Sequence, residues 1–125
     1  MNSQFWDYLQ QLIDATKIVI DRPKGSTHPR FAGRKYPVDY GYLASTTSTD
    51  MGGIDVWKGS LPGQEVVGVL LTVDLYKKDA EIKILSSCSG REIKAILDFL
   101  NTDQMKAIFV KKELSQEDSN GMDTR

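Results

Sequence analysis

The chain has 125 residues, 40% of them apolar, and a formal net charge of −1. That length supports one domain with a real core and excludes two, while the near-neutral charge argues against a dedicated nucleic-acid binder. A single cysteine, Cys88, and a single histidine, His28, exclude an intrachain disulfide, a cysteine-based zinc site and a multi-histidine metal cluster.

In chain order, Phe5, Trp6, Leu9, Leu12 and Ile13 fall at helical spacing, with Asn2 or Ser3 available as N-cap. Asp7, Gln10 and Gln11 interrupt the apolar residues, so the segment does not read as a signal peptide. No apolar run approaches the ~20 residues of a membrane helix. The expectation is a cytoplasmic protein without a membrane partner. Residues 17–21 are a β-branched run that reads as a strand stopped by Pro23. Residues 22–35 contain no acidic side chain but carry Arg22, Lys24, Arg30, Arg34 and Lys35 among Gly25, Pro29 and Gly33, which predicts a basic loop or a loop plus short hairpin. An aromatic-rich extended segment follows over 36–43, then a strand over 54–58, a turn over 61–64, a long strand over 66–76 and a shorter partner over 80–85. Ser89 and Glu92 make a capping box ahead of a stripe formed by Ile93, Ile96, Leu97 and Leu100. A last strand is expected over 106–114. The polar tail 115–125 is expected to be disordered, which leaves one domain over 1–114. Many short strands flanked by two helices predict a mainly β fold, a small barrel or strongly twisted sheet.

Two pairs of aspartates, Asp50/Asp55 and Asp74/Asp79, lie beside these strands. Carboxylates five apart on a straight strand would point oppositely, but Gly52-Gly53 breaks the first segment and Tyr76-Lys77-Lys78 lets the second reverse. Each pair can then turn its carboxylates toward one spot. Like charges ~4 Å apart repel by about 4 kcal/mol at an effective dielectric near 20, and a hard divalent cation would remove that cost. Asp98/Asp103 and Asp118/Asp123 share the spacing without strand context, so spacing alone does not define a site.

Phosphoanhydride chemistry needs cations around a polyanion. Lys24, Arg30, Arg34 and Lys35 could supply the protein's share, or could simply form a solvated loop. Tyr36 and Tyr40 read as half-buried core, His28 as a loop residue without a role, and Cys88 as inert despite its place before a capped helix. The glycines do not have P-loop spacing.

The order of these elements resembles the soluble family I inorganic pyrophosphatases, in shortened form, over roughly residues 18–100. Ile20-Asp21-Arg22-Pro23-Lys24-Gly25-Ser26 is similar to the family's opening strand, acidic residue, proline and Gly-Ser turn. Tyr36-Pro37-Val38-Asp39-Tyr40-Gly41-Tyr42 is close to its Tyr-Pro-x-Asn/Asp-Tyr-Gly-Phe/Tyr block, and Asp50-Met51-Gly52-Gly53-Ile54-Asp55-Val56 to its Asp-Gly-Asp-Pro-x-Asp-Val signature. Asp74 and Asp79 fall where the family keeps two further metal-binding aspartates. The resemblance implies an OB-like five-stranded β-barrel that holds several Mg²⁺ ions around pyrophosphate, with Mn²⁺ a possible substitute, and a metal-bound hydroxide that attacks phosphorus.

Carried over by position, Asp50, Asp55 and Asp79 would be the principal metal ligands, Asp74 would hold a metal arriving with substrate, and Asp21 would replace the acidic residue of the first strand. Asp50, Asp55 and Tyr40 would carry the catalytic role. Lys24, Arg30, Arg34 and Tyr40 would contact substrate phosphate, and a homo-oligomer is implied. The departures are specific. The family's usual base is Gly52, its proline is Gly53, and the acidic residue after the phosphate-binding lysine is Ala32. Its Asp-x-Lys reads Asp79-Ala80-Glu81, so that lysine is lost unless Lys83 reaches inward. The Tyr-Lys pair near the family's final helix has no match. Two functions follow as expectations: Mg²⁺-dependent hydrolysis of pyrophosphate, or a catalytically weak module that binds metal and a phosphate-containing ligand. An OB-like nucleic-acid module is disfavoured by the neutral charge and the lack of aromatic-basic alternation.

Overall fold

A computed structural model of the chain describes residues 3–48 and 51–113. Asn2, Asp50 and the 115–125 tail therefore lie outside the described residues. The elements run α1 (Ser3–Asp14), β1 (Ile18–Arg22), β2 (Asp39–Leu43), β3 (Ile54–Lys58), β4 (Val66–Asp74), β5 (Asp79–Ser86), α2 (Gly90–Leu100) and β6 (Met105–Lys111). Each sequence-predicted strand is present with its ends moved by a few residues. None of the described helices is long and apolar enough to cross a membrane.

The six strands form one sheet in the order β1-β2-β3-β5-β4-β6. Five strands closed into a barrel were expected; the sheet instead has six and stays open, with β1 and β6 as its two edges. The reason lies in β6. It pairs antiparallel with β4, Leu70 opposite Phe109 and Asp74 opposite Met105, and so extends the sheet rather than closing it. All neighbours are antiparallel except β3 and β5, which run parallel with Val56 opposite Ile84 and Trp57 opposite Leu85.

Side-chain alternation splits the sheet into two faces. On one, α1 buries Trp6 and Ile13 against Leu43, Val56, Val69 and Ile84. On the other, α2 lays Ile96 and Leu100 over Trp57, Leu70 and Leu85, beside Tyr36 and Val38. The predicted capping box starts α2: Ser89 Oγ accepts from the Glu92 N–H at 3.2 Å and Glu92 Oε1 accepts from the Ser89 N–H at 2.9 Å. The Glu92 carboxylate also accepts from the Ser60 N–H, tying the helix start to the chain after β3. Burial alone would raise the Glu92 carboxyl; the hydrogen bonds from Ser89 and Ser60 outweigh it and hold the group below its ordinary value.

Two glycines are required by geometry. A Cβ on Gly41 would overlap the Val19 carbonyl oxygen, so β1 can lie against β2 only at a residue without a side chain. Gly53 has φ +93° and Met51 φ 65°, the left-handed turn that carries the chain into β3.

Candidate functional site

The basic segment folds as a loop with a short hairpin. Thr27 and Lys35 form a single antiparallel bridge, and the His28 N–H donates to the Arg34 carbonyl at 2.8 Å. Asp39, at the start of β2, anchors the loop by accepting from the Lys24 N–H at 2.8 Å. The loop thereby hangs over the α2 face of the sheet and walls a cleft of about 810 Å³. Among the described residues, Arg22, Arg30, Arg34, Lys77 and Lys83 line that cleft against two carboxylates, Asp74 and Asp103. Tyr36, Tyr40, Trp57 and Phe99 pack together as its floor, with ring centroids 4.5 to 6.0 Å apart.

The arginines are held by rings. Arg30 lies over Tyr76 at 4.4 Å and Arg34 over Phe99 at 4.5 Å. Stacking occupies the flat face of a guanidinium and leaves its N–H edge to meet an anion in the plane. Arg22, opposite Tyr40 after a bulge in β1, donates to the Tyr36 hydroxyl at 2.7 Å.

At the deep end sits Lys83. Strand alternation puts Asp79, Glu81 and Lys83 on one face of β5, and the parallel register of β3 brings Asp55 beside them. The Lys83 ammonium donates to Asp55 Oδ2 at 2.8 Å, to Glu81 Oε1 at 3.0 Å and to the Tyr40 hydroxyl at 2.9 Å. Lys83 is 5% exposed. Burial lowers the pKa of a lysine, but here the Tyr40 and Asp55 oxygens outweigh it and hold the ammonium charged above its ordinary range. Burial pushes the Tyr40 phenol up against the pull of Lys83, so Tyr40 is a neutral hydroxyl at neutral pH.

The sequence-predicted residues divide accordingly. Asp55, Asp79 and Tyr40 share the sheet face with Lys83, and Arg30 and Arg34 reach the cleft. Asp74 is directly opposite Asp79 in the β4–β5 ladder. Its Oδ1 accepts from the Tyr76 and Lys77 N–H groups at 2.9 and 3.0 Å, so the carboxylate shapes the reversing turn. Asp21 is exposed on edge strand β1, with β2 and β3 between it and β5. Lys24 and Lys35 are exposed and outside the cleft lining; Lys35 donates to Thr27 Oγ1 at 3.1 Å. Cys88 is buried beneath α2, and burial with the nearby Glu92 pushes its thiol up to about 12, which keeps it protonated and inert.

The described donors, Asp50 not among them, do not by themselves make a divalent-ion site. Among the described residues, no three His, Cys, Asp or Glu side chains gather as a metal site. Asp55 and Glu81, which converge on one point, each already bind the Lys83 ammonium.

Several cleft residues escaped the sequence reading. Phe99 sits on α2 beside the stripe of Ile93, Ile96, Leu97 and Leu100 and Trp57 within a strand, where neither carries a signal beyond packing; Tyr76 and Lys77 belong to a turn. His28, read as a bystander, stacks on Tyr36 with an interplanar angle of 7° and lines the cleft. Its Nδ1 accepts from the Arg30 N–H at 3.0 Å, which requires that nitrogen to be unprotonated. Burial, then the charges of Arg34 and Arg30, lower its pKa. An anion beside those arginines would cancel their repulsion. In NMR titrations the single histidine is expected to titrate below ~6.5 in the unliganded protein and to move upward with pyrophosphate; an unchanged value would place the anion elsewhere.

No family model and no curated protein matches the chain. Solved structures do. An inorganic pyrophosphatase from Coxiella burnetii superposes with a TM-score of 0.58 at 16% identity, covering 76% of this chain and 84% of that one. An inorganic pyrophosphatase from Helicobacter pylori gives 0.53 at 16% identity over 75% and 81% of the two chains. A protein described as an inorganic phosphatase, from Anaplasma phagocytophilum, gives 0.52 at 17% identity over 75% and 81%. The chain has the fold of the inorganic pyrophosphatases.

Proposed function

We propose that this chain binds pyrophosphate, or a compound carrying an equivalent diphosphate group, in the cationic cleft. One observation carries the reading: Arg22, Arg30, Arg34, Lys77 and Lys83, contributed by β1, the basic loop, the β4–β5 turn and β5, line a single cavity. Asp55 and Glu81 already pair Lys83, and Asp74 and Asp103 offset part of the rest. That leaves Arg22, Arg30, Arg34 and Lys77 in excess of the two lining carboxylates, an imbalance that a bound anion would relieve. A diphosphate presents oxygens in several directions, and planar guanidinium edges match them. Aromatic walls lower the local dielectric and strengthen each contact.

Mg²⁺-dependent hydrolysis of the bound anhydride to two phosphates, with Mn²⁺ as substitute, is the second reading. It is favoured by the pyrophosphatase fold and by Asp55 and Asp79 sharing one sheet face. Against it stand the Lys83 ammonium on Asp55 and the glycine at position 52.

Two measurements separate the readings. Calorimetry with pyrophosphate in the presence of chelator is expected to show binding, and its absence would remove the first reading. Phosphate release is then followed from pyrophosphate, polyphosphate and nucleotides with Mg²⁺, Mn²⁺ or chelator, in the wild type and in Gly52→Asp. If a missing base limits a hydrolase, the substitution accelerates release within the ~10²–10⁴ range of a general base. Binding without release in either protein establishes the binding reading alone.

A further inference from the structure

We propose that Lys83 is the built-in cation of the carboxylate cluster, standing where a divalent ion would otherwise be needed, so that Asp55 holds no metal. This goes beyond the pyrophosphate reading, because it concerns the cluster itself and holds whatever anion the cleft accepts.

Four observations support it. An ammonium has three N–H donors, and Lys83 has three oxygens around it within 3.0 Å, on Asp55, Glu81 and Tyr40, so its donor capacity is matched. All three partners lie on strands β2, β3 and β5 in the middle of the sheet, so ladder register, not loop geometry, sets the cluster. The side chain is buried with two carboxylates against its ammonium, and burial requires those counter-charges to stay with it. Lys83 and Tyr40 line the cleft while Asp55 and Glu81 line a separate cavity, so toward the cleft the cluster presents its ammonium and not its carboxylates.

A metal and this ammonium therefore compete for the same oxygens. Asp55 and Glu81 repel one another unless a cation lies between them; one ammonium on its own stem fills that place at no cost in captured ligand. A divalent ion added alongside would sit within a few ångströms of a like charge and would have to expel Lys83 from a site that strand register enforces.

The test uses Mn²⁺ alone on the full chain, without phosphate, so that its outcome is independent of what the cleft binds. Wild-type protein is expected to show no Mn²⁺ site that depends on Asp55, and no change in melting temperature between Mn²⁺ and chelator. Lys83→Met is expected to gain Mn²⁺ affinity by at least ~100-fold, and its melting temperature should rise by roughly 10 °C at ~100-fold excess over the dissociation constant. A wild-type Mn²⁺ site lost in Asp55→Asn would overturn the proposal, as would a folded Lys83→Met that binds no Mn²⁺. Should that variant not fold, the wild-type Lys83 ¹⁵Nζ resonance decides. Unchanged position on adding Mg²⁺ supports the built-in cation; displacement or loss of the signal overturns it.

Discussion

Lys83→Met is expected to lose about 3–5 kcal/mol of stability in chelator, the size seen when one partner of a buried ion pair is removed. Methionine keeps the volume and the apolar stem, so packing is largely preserved. What disappears is the charge. Asp55 and Glu81, with side chains 26% and 11% exposed, would then face each other without a cation. The triple variant Lys83→Met, Asp55→Asn, Glu81→Gln should recover much of the loss, since neutralising all members of a buried ionic cluster is close to neutral in many proteins. Denaturant unfolding of the three proteins measures both numbers. A loss under ~1 kcal/mol for the single change would mean that the cluster behaves as a screened surface pair. The pH dependence has a definite sign. The folded-state pKa of Lys83 is raised, so its contribution is fully present below the unfolded lysine value and is lost as pH rises through the folded one. The wild type should therefore weaken in strong alkali relative to the triple variant, and the two should run parallel near neutrality.

Replacing Arg30 and Arg34 together by alanine should weaken pyrophosphate binding by about 10²–10⁴-fold, since hydrogen bonds to charged groups are worth ~1.5–3 kcal/mol each and ~1.4 kcal/mol is tenfold. Each single change should account for part of that loss. The remaining cations would still give weak, strongly salt-dependent binding, because an exposed charge at Debye distance is easily screened. The fold should tolerate the double change. Both guanidinium groups rest on rings at the cleft wall, Tyr76 and Phe99, rather than inside the core. Titration calorimetry at two ionic strengths distinguishes the outcomes. Unchanged affinity with unchanged stability would assign both arginines to the solvated surface and leave Arg22 and Lys77 as the anion's partners. Lys24→Ala, outside the cleft, is the matched control and should alter affinity little.

Local chemistry determined a great deal of this protein without reference to the fold. The Ser89–Glu92 capping box, the period-3.6 stripe of α2, the breaks at Pro23 and Gly52-Gly53, and the β-branched runs of β3 and β4 each depend on neighbours within a few residues, so they are legible one segment at a time. The blocks over 36–42 and 50–56 likewise pointed to the pyrophosphatase fold, because described residues in them serve a turn, as Met51 and Gly53 do, or a close approach, as Gly41 does on Val19. Tertiary structure decided what sequence spacing could not. An aspartate reads the same whether it meets a metal, a turn or an ammonium: Asp74 proved to cap the β4–β5 turn, and Asp55 to pair with a lysine 28 residues away. That pairing exists only because β3 and β5 are parallel neighbours, a relation between strands that local periodicity does not encode. The open six-stranded sheet, the aromatic floor beneath His28 and the choice of Arg30 and Arg34 over Lys24 for the cleft have the same origin. Each depends on which strands lie side by side, and that order is set by the burial of two opposite faces against α1 and α2.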